Sequence, residues 1–308
     1  MASALSAPHF HDEDAAFAFV EARVWPEGPT CPHCGGVDRI SKMGGASTRK
    51  GLYKCYQCRK PFTVRMGTIF ESSHVPLNIW LQAMYLVAGS KKGISSNQLH
   101  RTLGVTLKTA WFMSHRIREA MRSGDLLPMG GAGQTVEADE TYIGHKKGVD
   151  KPQGGYRHKL CVVSLVNRDT GEARSIFTDK TSTQFVAGIV RANVDRESRL
   201  VTDDAQLYWK VGKEFIGGHK RVRHSISEYV VGDIHTNTIE GFFSIFKRGM
   251  RGVYQFCAEK HLHRYLAEFD FRYSNRVALG YNDADRADQL LRGIVGKRLT
   301  YQTIGARA

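Results

Sequence analysis

The sequence predicts an α/β fold over residues 135–308, preceded by a small metal-held module at 1–70 and a helical region with its linker at 71–134. Three observations carry this division. Two Cys-x-x-Cys pairs lie near the N-terminus, two amphipathic helices joined at a glycine follow, and beyond a glycine-rich linker strand-like runs alternate with helical ones. A chain of 308 residues, at about 150 per domain, has room for more than one core without disulfide staples. Its composition, 42% hydrophobic and 24% charged, excludes collagen-like, disordered and coiled-coil classes.

Asp12 to Val24 reads as a helix, with acids at the positive end of its dipole, Phe17, Val20 and Val24 as its apolar stripe, and Pro26 as its stop. The cysteine pairs are Cys31/Cys34 and Cys55/Cys58, separated by twenty residues that include the turn glycines Gly44, Gly45 and Gly51. Two knuckles of this spacing can aim four thiolates at one tetrahedral ion, and zinc is the expected metal. Such a closed site leaves no position for a reacting water, so the module is expected to bind or dock. His33 is not needed as a ligand, and Cys161 and Cys257 read as small core residues.

Leu77 to Ala88 reads as a second helix, followed by Ile94 to Leu103, a turn at Gly104, and Leu107 to Met121. A serine cap near Ser95, inward Leu99 and Leu103, and a longer second helix match a helix-turn-helix, although any helical hairpin with a glycine turn shares the pattern. The second helix would carry Lys108, Thr109, His115, Arg116 and Arg118 on polar faces, with Trp111, Phe112 and Ile117 in the core. Ser123 to Gln134, with one Pro and four Gly, reads as a linker.

Beyond it, Thr135 to Ile143, Lys159 to Val166 and Glu172 to Phe177 read as strands. A helix at Thr183 to Val194, a strand at Arg199 to Thr202 and a short helix at Ala205 to Val211 come next. Basic strand-or-loop residues run through His224, and helices at Asn237 to Met250 and Glu259 to Asn275 close the chain. This is the element order of a ribonuclease-H-like fold, in which the first and fourth strands are neighbours. Asp139, Asp203 and Glu240 would then meet in one cleft, where they repel one another unless cations neutralise them. Hard oxygen ligands suit Mg²⁺ or Mn²⁺, and a pair of such ions supports in-line phosphoryl displacement. Lys247 lies about two helical turns after Glu240, on the same stripe, and would reach a phosphate backbone.

The charge agrees. Forty-four basic against 30 acidic residues give +14, spread as +3, +4 and +7 over the three segments, which favours a polyanionic partner. The sequence contains no run of 18 apolar residues and its N-terminus lacks a basic n-region, so a cytoplasmic, nucleoid-associated protein without a membrane partner is expected.

CPHCGG, YKCYQCRKPFTVRMGTIFESSH, VEADETYIGHK, VTDD and NTIEGFFSIFKRGMRGVY, followed by KHLHRYLAEFDFRYSNR, together resemble the zinc-ribbon DDE transposases of bacterial insertion sequences, the ISXO-like group. The likeness covers residues from about 10 to 280. It implies DNA transposition, with terminal inverted repeats as substrate, divalent metal as cofactor, and Asp139, Asp203 and Glu240 as acidic positions followed by Lys247. Members often carry Gly where this chain has Asp204, and some carry Asn at the third acidic position. Asn237 lies one turn before Glu240; a carboxylate binds Mg²⁺ better than an amide, so Glu240 ranks first and Asn237 second. His235 reads as a turn residue or phosphate contact. Lys108, Arg116, Lys220, Arg221, Lys247, Arg248 and Arg251 would contact phosphates of double-stranded DNA, and pairing two ends implies a homo-oligomer. The rival readings are a catalytically silent zinc-ribbon and helix-turn-helix regulator, and a structure-selective nuclease.

Overall fold

The computed structural model describes residues 3–124, 126–222, 230 and 232–299. In chain order its elements are α1 (Glu13–Val24), β1 (Ile40–Lys42), β2 (Tyr53–Cys55), β3 (Pro61–Phe62), α2 (Leu77–Gly89), α3 (Ser96–Leu103) and α4 (Leu107–Met121). There follow β4 (Thr135–Ile143), β5 (Leu160–Asn167), β6 (Ala173–Thr178), α5 (Thr183–Asn193), β7 (Arg199–Asp203), α6 (Trp209–Gly212) and β8 (His219–Val222). The last are α7 (Asn237–Gly249), α8 (Leu262–Ser274) and α9 (Asp283–Arg292). Two compact units result, one from the described parts of 1–90, 94–122 and 282–308, the other from 91–93 and 123–281. The basic stretch expected to reach His224 leaves the described residues after Val222.

In the first unit, Asp12 caps α1 by accepting a hydrogen bond from the Ala15 N–H at 2.7 Å. Pro76 gives α2 no side-chain cap. The Glu13 carboxylate supplies one instead, accepting from Leu77 N at 2.7 Å and Asn78 N at 3.1 Å. The small antiparallel sheet β1-β2-β3 forms the ribbon. Ser95 caps α3 through the Gln98 N–H at 3.1 Å, and Gly104, in the left-handed region at φ 66°, ends it where a side chain would be strained. Thr106 then caps α4 through Thr109 N at 3.1 Å. The α3–turn–α4 hairpin is therefore built by local signals at each of its ends.

Two expectations for this unit are corrected. His115, Arg116 and Arg118 do not line a polar face: all three are buried. Arg116 donates to the carbonyls of Ile69 at 2.7 Å, Glu71 at 2.8 Å and Leu299 at 3.1 Å, and Arg118 to Ser114 Oγ at 3.1 Å. Charge alone did not distinguish a guanidinium that braces carbonyls from one that faces solvent. Ile117 is buried as expected, whereas Trp111 is 36% exposed. The second correction is α9, a helix beyond the two expected to close the chain. Asn282 and Asp285 form a capping box at its start, and Leu290 and Leu291 bury its apolar side. It packs on α2.

The second unit is an α/β domain around a mixed five-stranded sheet of order β6-β5-β4-β7-β8. β5 runs antiparallel to both β4 and β6, and β7 joins β4 in parallel, as does β8 to β7. Helices cover both faces. Val136, Ala138, Val163, Leu165 and Leu200 pack with Val186 and Val190 of α5 and with Tyr208 and Val211. On the other face, Val162 and Val166 meet Ile239, Phe242 and Phe246 of α7 and Leu266 and Phe269 of α8. Strand alternation assigns the sides: even-numbered β4 residues face α5, odd-numbered ones face α7. The order of strands and helices is consistent with a ribonuclease-H-like arrangement.

Candidate active site and metal centre

The four ribbon cysteines converge. Their sulfurs all lie within 4.8 Å of one another, with Cys31 to Cys58 and Cys34 to Cys55 each at 3.7 Å. A tetrahedral ion with Zn–S bonds of about 2.3 Å separates its sulfurs by about 3.8 Å. The donor set therefore fits zinc. The Cys58 and Gln57 N–H groups, the first more strongly, draw the Cys55 thiol down to about 7. The Gly36 N–H pulls Cys34 the same way, but desolvation and the three neighbouring sulfurs prevail and push it up to about 12. Four thiols so close cannot all ionise without a cation among them. Trp25, Tyr53 and Phe62 pack around the cluster and leave it little other core.

The acidic residues come from three elements. In the parallel pairing of β4 with β7, Ala138 lies opposite Thr202. Asp139 and Asp203 each follow that pair by one residue, so both point to the face covered by α7. Glu240 sits in the first turn of α7, where its Oε1 accepts from Thr236 Oγ1 at 2.8 Å. Burial, and then the charges of Asp203, Glu140 and Glu240, hold the Asp139 carboxyl well above the usual carboxylate range, against one opposing hydrogen bond from the Glu140 N–H. This cluster is more open than the thiolate site. Among the described residues, only the four cysteines bring three or more such ligand atoms within 4.8 Å of one another.

Neighbouring groups have distinct partners. Asp204, adjacent to Asp203, is ion-paired with Arg221 at 3.1 Å. Asn237 is exposed at the first position of α7. His235 Nδ1 lies 3.6 Å from Glu137 Oε1 and 3.2 Å from an Arg168 nitrogen. Glu140 points to the opposite face and accepts from the buried Tyr208 hydroxyl at 2.8 Å. Glu137 was not singled out in the sequence. It is fully buried two residues before Asp139, and the signal available was a second acid on the Asp139 face of the strand TVEADETYI, two positions earlier.

Of the residues expected to meet DNA, Lys108, Lys220, Arg221, Arg248 and Arg251 are exposed, and Lys247 is half-buried with its ammonium 5.6 Å from the Phe243 ring centroid. Arg248 hydrogen-bonds Ser244 of the same helix, and Arg221 stacks over Trp209 at 4.8 Å. Arg116, inside the first unit, is withdrawn from this set. Among the described residues no helix is long and apolar enough to cross a membrane.

Residues 130–274 match the ISXO2-like transposase domain, and residues 11–61 match the transposase zinc-ribbon domain. An uncharacterised protein in the transposable element ISH50 of Halobacterium salinarum is 30% identical over 266 residues, spanning 80% of this chain and 86% of that one. Among solved structures, a chain of the simian T-cell lymphotropic virus intasome in complex with PP2A regulatory subunit B56γ aligns at 11% identity and TM-score 0.29. That alignment covers 56% of this chain and 63% of the other, less than two thirds of its length. A chain of the Mos1 strand transfer complex aligns at 12% identity and TM-score 0.27, covering 68% and 73%. A zinc ribbon ahead of a DDE-type domain defines a class of DNA-rearranging proteins. The chain belongs to the IS1595 family of zinc-ribbon DDE transposases, a superfamily membership consistent with metal-dependent nuclease or transferase activity.

Proposed function

We propose that this protein is a transposase that binds the terminal inverted repeats of an insertion sequence and both cleaves and joins DNA strands at Asp139, Asp203 and Glu240. The observation that carries this reading is the placement of Asp139 and Asp203 side by side at the ends of adjacent parallel strands, on the face that α7 and its Glu240 cover, where burial and the neighbouring acids hold the half-buried Asp139 carboxyl well above the usual carboxylate range. Carboxylates gathered at one end of a sheet are chemically suited to divalent cations, and hard oxygen donors favour Mg²⁺ or Mn²⁺. When bound, such ions would activate water or a DNA 3′-hydroxyl and neutralise charge at an in-line phosphodiester exchange.

The chain's own residues do the rest. Asp139 and Asp203 hold the strand-borne side of the cluster, Glu240 its helix-borne side, and Asn237 stands second to Glu240. Lys247, two turns along α7, steadies the phosphate backbone together with Arg248, Arg251, Lys220 and Arg221. The ribbon and the α3–α4 hairpin hold the transposon ends, with Lys108 on the exposed start of α4. In this reading residues 1–70 and 71–134 are the DNA-binding parts, and residues 135–308 the ribonuclease-H-like catalytic part with α9 returning to the first unit. Two DNA ends require two such sites, hence a homo-oligomer acting on DNA in the cytoplasm.

A donor plasmid carrying the element's ends, incubated with the protein and Mg²⁺, tests this. Joined products are expected. Cuts without joining would indicate a nuclease, and retarded but intact DNA a silent regulator.

A further inference from the structure

Resting on that reading, we propose that Glu137 is a positioning residue that sets the spacing between the strand and helix halves of the acidic cluster. A helix begins with several unpaired N–H groups and a positive dipole end, usually met by its own N-cap side chain. Thr236 holds that position in α7 but makes no such bond, because its hydroxyl donates to Glu240. The missing acceptor comes from the sheet. Glu137 Oε2 accepts from the Ile239 N–H at 2.8 Å, and Ile239 is the residue before Glu240. Oε1 accepts from Arg168 Nε at 2.5 Å, and Arg168 also donates to the Asp233 carbonyl at 2.7 Å, tying down the approach to α7.

One fully buried carboxylate thus belongs to the strand that presents Asp139 two residues later, on the same face, and grips the helix turn that presents Glu240. An apolar residue at 137 would leave the Ile239 N–H and the Arg168 Nε–H without their acceptor, and would leave the start of α7 free to shift against β4. The acidic ligands would then lose their mutual distance without losing a ligand.

The test uses zinc-loaded full-length protein and Mn²⁺ as probe, with bound Mn²⁺ read by electron paramagnetic resonance and cleavage of end-containing duplex read in parallel. Glu137→Gln is compared with Asp270→Asn, which alters another carboxyl of the same unit, one that joins α8 to β6 by accepting from the Ser175 N–H and hydroxyl. We expect Glu137→Gln to weaken Mn²⁺ binding at least tenfold and to raise the half-saturating Mn²⁺ for cleavage by a similar factor, with zinc content and duplex binding retained. Asp270→Asn should stay within twofold of wild type for Mn²⁺ even where its melting temperature falls as far. If Glu137→Gln does not fold, Arg168→Gln substitutes for it, with weaker Mn²⁺ binding and faster amide exchange over residues 237–240 expected. Mn²⁺ binding within twofold of wild type in the folded variant overturns the positioning role. Wild-type protein that neither binds Mn²⁺ nor cuts overturns instead the function on which it rests.

Discussion

Asp139 and Asp203 occupy equivalent positions on adjacent parallel strands, each one residue beyond the Ala138–Thr202 pair and on the face that α7 covers. Parallel pairing fixes their side-by-side placement regardless of the 63 residues between them in sequence. Asp139→Asn should lower Mg²⁺-dependent cleavage by roughly a hundredfold or more, since the cation site loses a charged ligand. The same change should raise the melting temperature of zinc-loaded protein without Mg²⁺ or Mn²⁺, because it removes a half-buried carboxyl whose ionised form is disfavoured by burial and by the neighbouring acids. Added Mn²⁺ should narrow that difference by stabilising wild type alone. Differential scanning fluorimetry with and without Mn²⁺ reads both effects.

The ribbon should depend on its ion. Its core beyond the cysteines is three aromatic rings and a few partners, too little for a free-standing fold. Structural zinc supplies on the order of 10 kcal/mol or more in small modules of this kind. Cys55→Ser should remove one zinc equivalent by elemental analysis and speed hydrogen exchange across residues 31–62. Exchange in β4, β5 and β7 should be unchanged.

Arg116 and Lys108 lie on one helix and should behave oppositely. Arg116→Ala leaves three backbone carbonyls without their donor and should cost about 2–4 kcal/mol of stability with little direct effect on DNA contacts. Lys108→Ala should leave stability near wild type and reduce the salt slope of DNA binding by about one charge. Urea unfolding and salt-dependent anisotropy separate the two.

Asp270 on α8 gives a pH dependence of defined sign. Burial pushes its carboxyl from the ordinary 3.8 up to about 7, although the Ser175 hydroxyl and N–H donate to it at 2.7 and 2.8 Å. Between those values the folded chain holds a proton that the unfolded chain releases. The group's contribution is thus fully present below about 4 and is lost as pH rises towards 7, at up to about 1.4 kcal/mol per pH unit. Asp270→Asn should remove this part of the slope in urea titrations from pH 4.5 to 8.

Much of this was legible from the sequence because the signals were local. β4 begins and ends at the expected Thr135 and Ile143, and Gly104, Ser95 and the stripe of α7 fix their elements by capping and period. What was not legible depends on partners remote in the chain. The burial of Arg116 rests on carbonyls at 69, 71 and 299, and the role of Glu137 rests on an N–H a hundred residues away. α9 was missed because its first turn is Asp-Ala-Asp-Arg and only Leu290 and Leu291 show an apolar side. Its capping pair Asn282 and Asp285 was the available signal.

Anomalous diffraction at the manganese edge, from crystals grown with Mn²⁺ and a duplex carrying an element end, is the most direct test. Peaks ringed by the side chains of residues 139, 203 and 240, and absent in Asp139→Asn crystals, are the predicted outcome. A map in which those carboxylates bind no manganese while DNA is seated beside them would contradict the account.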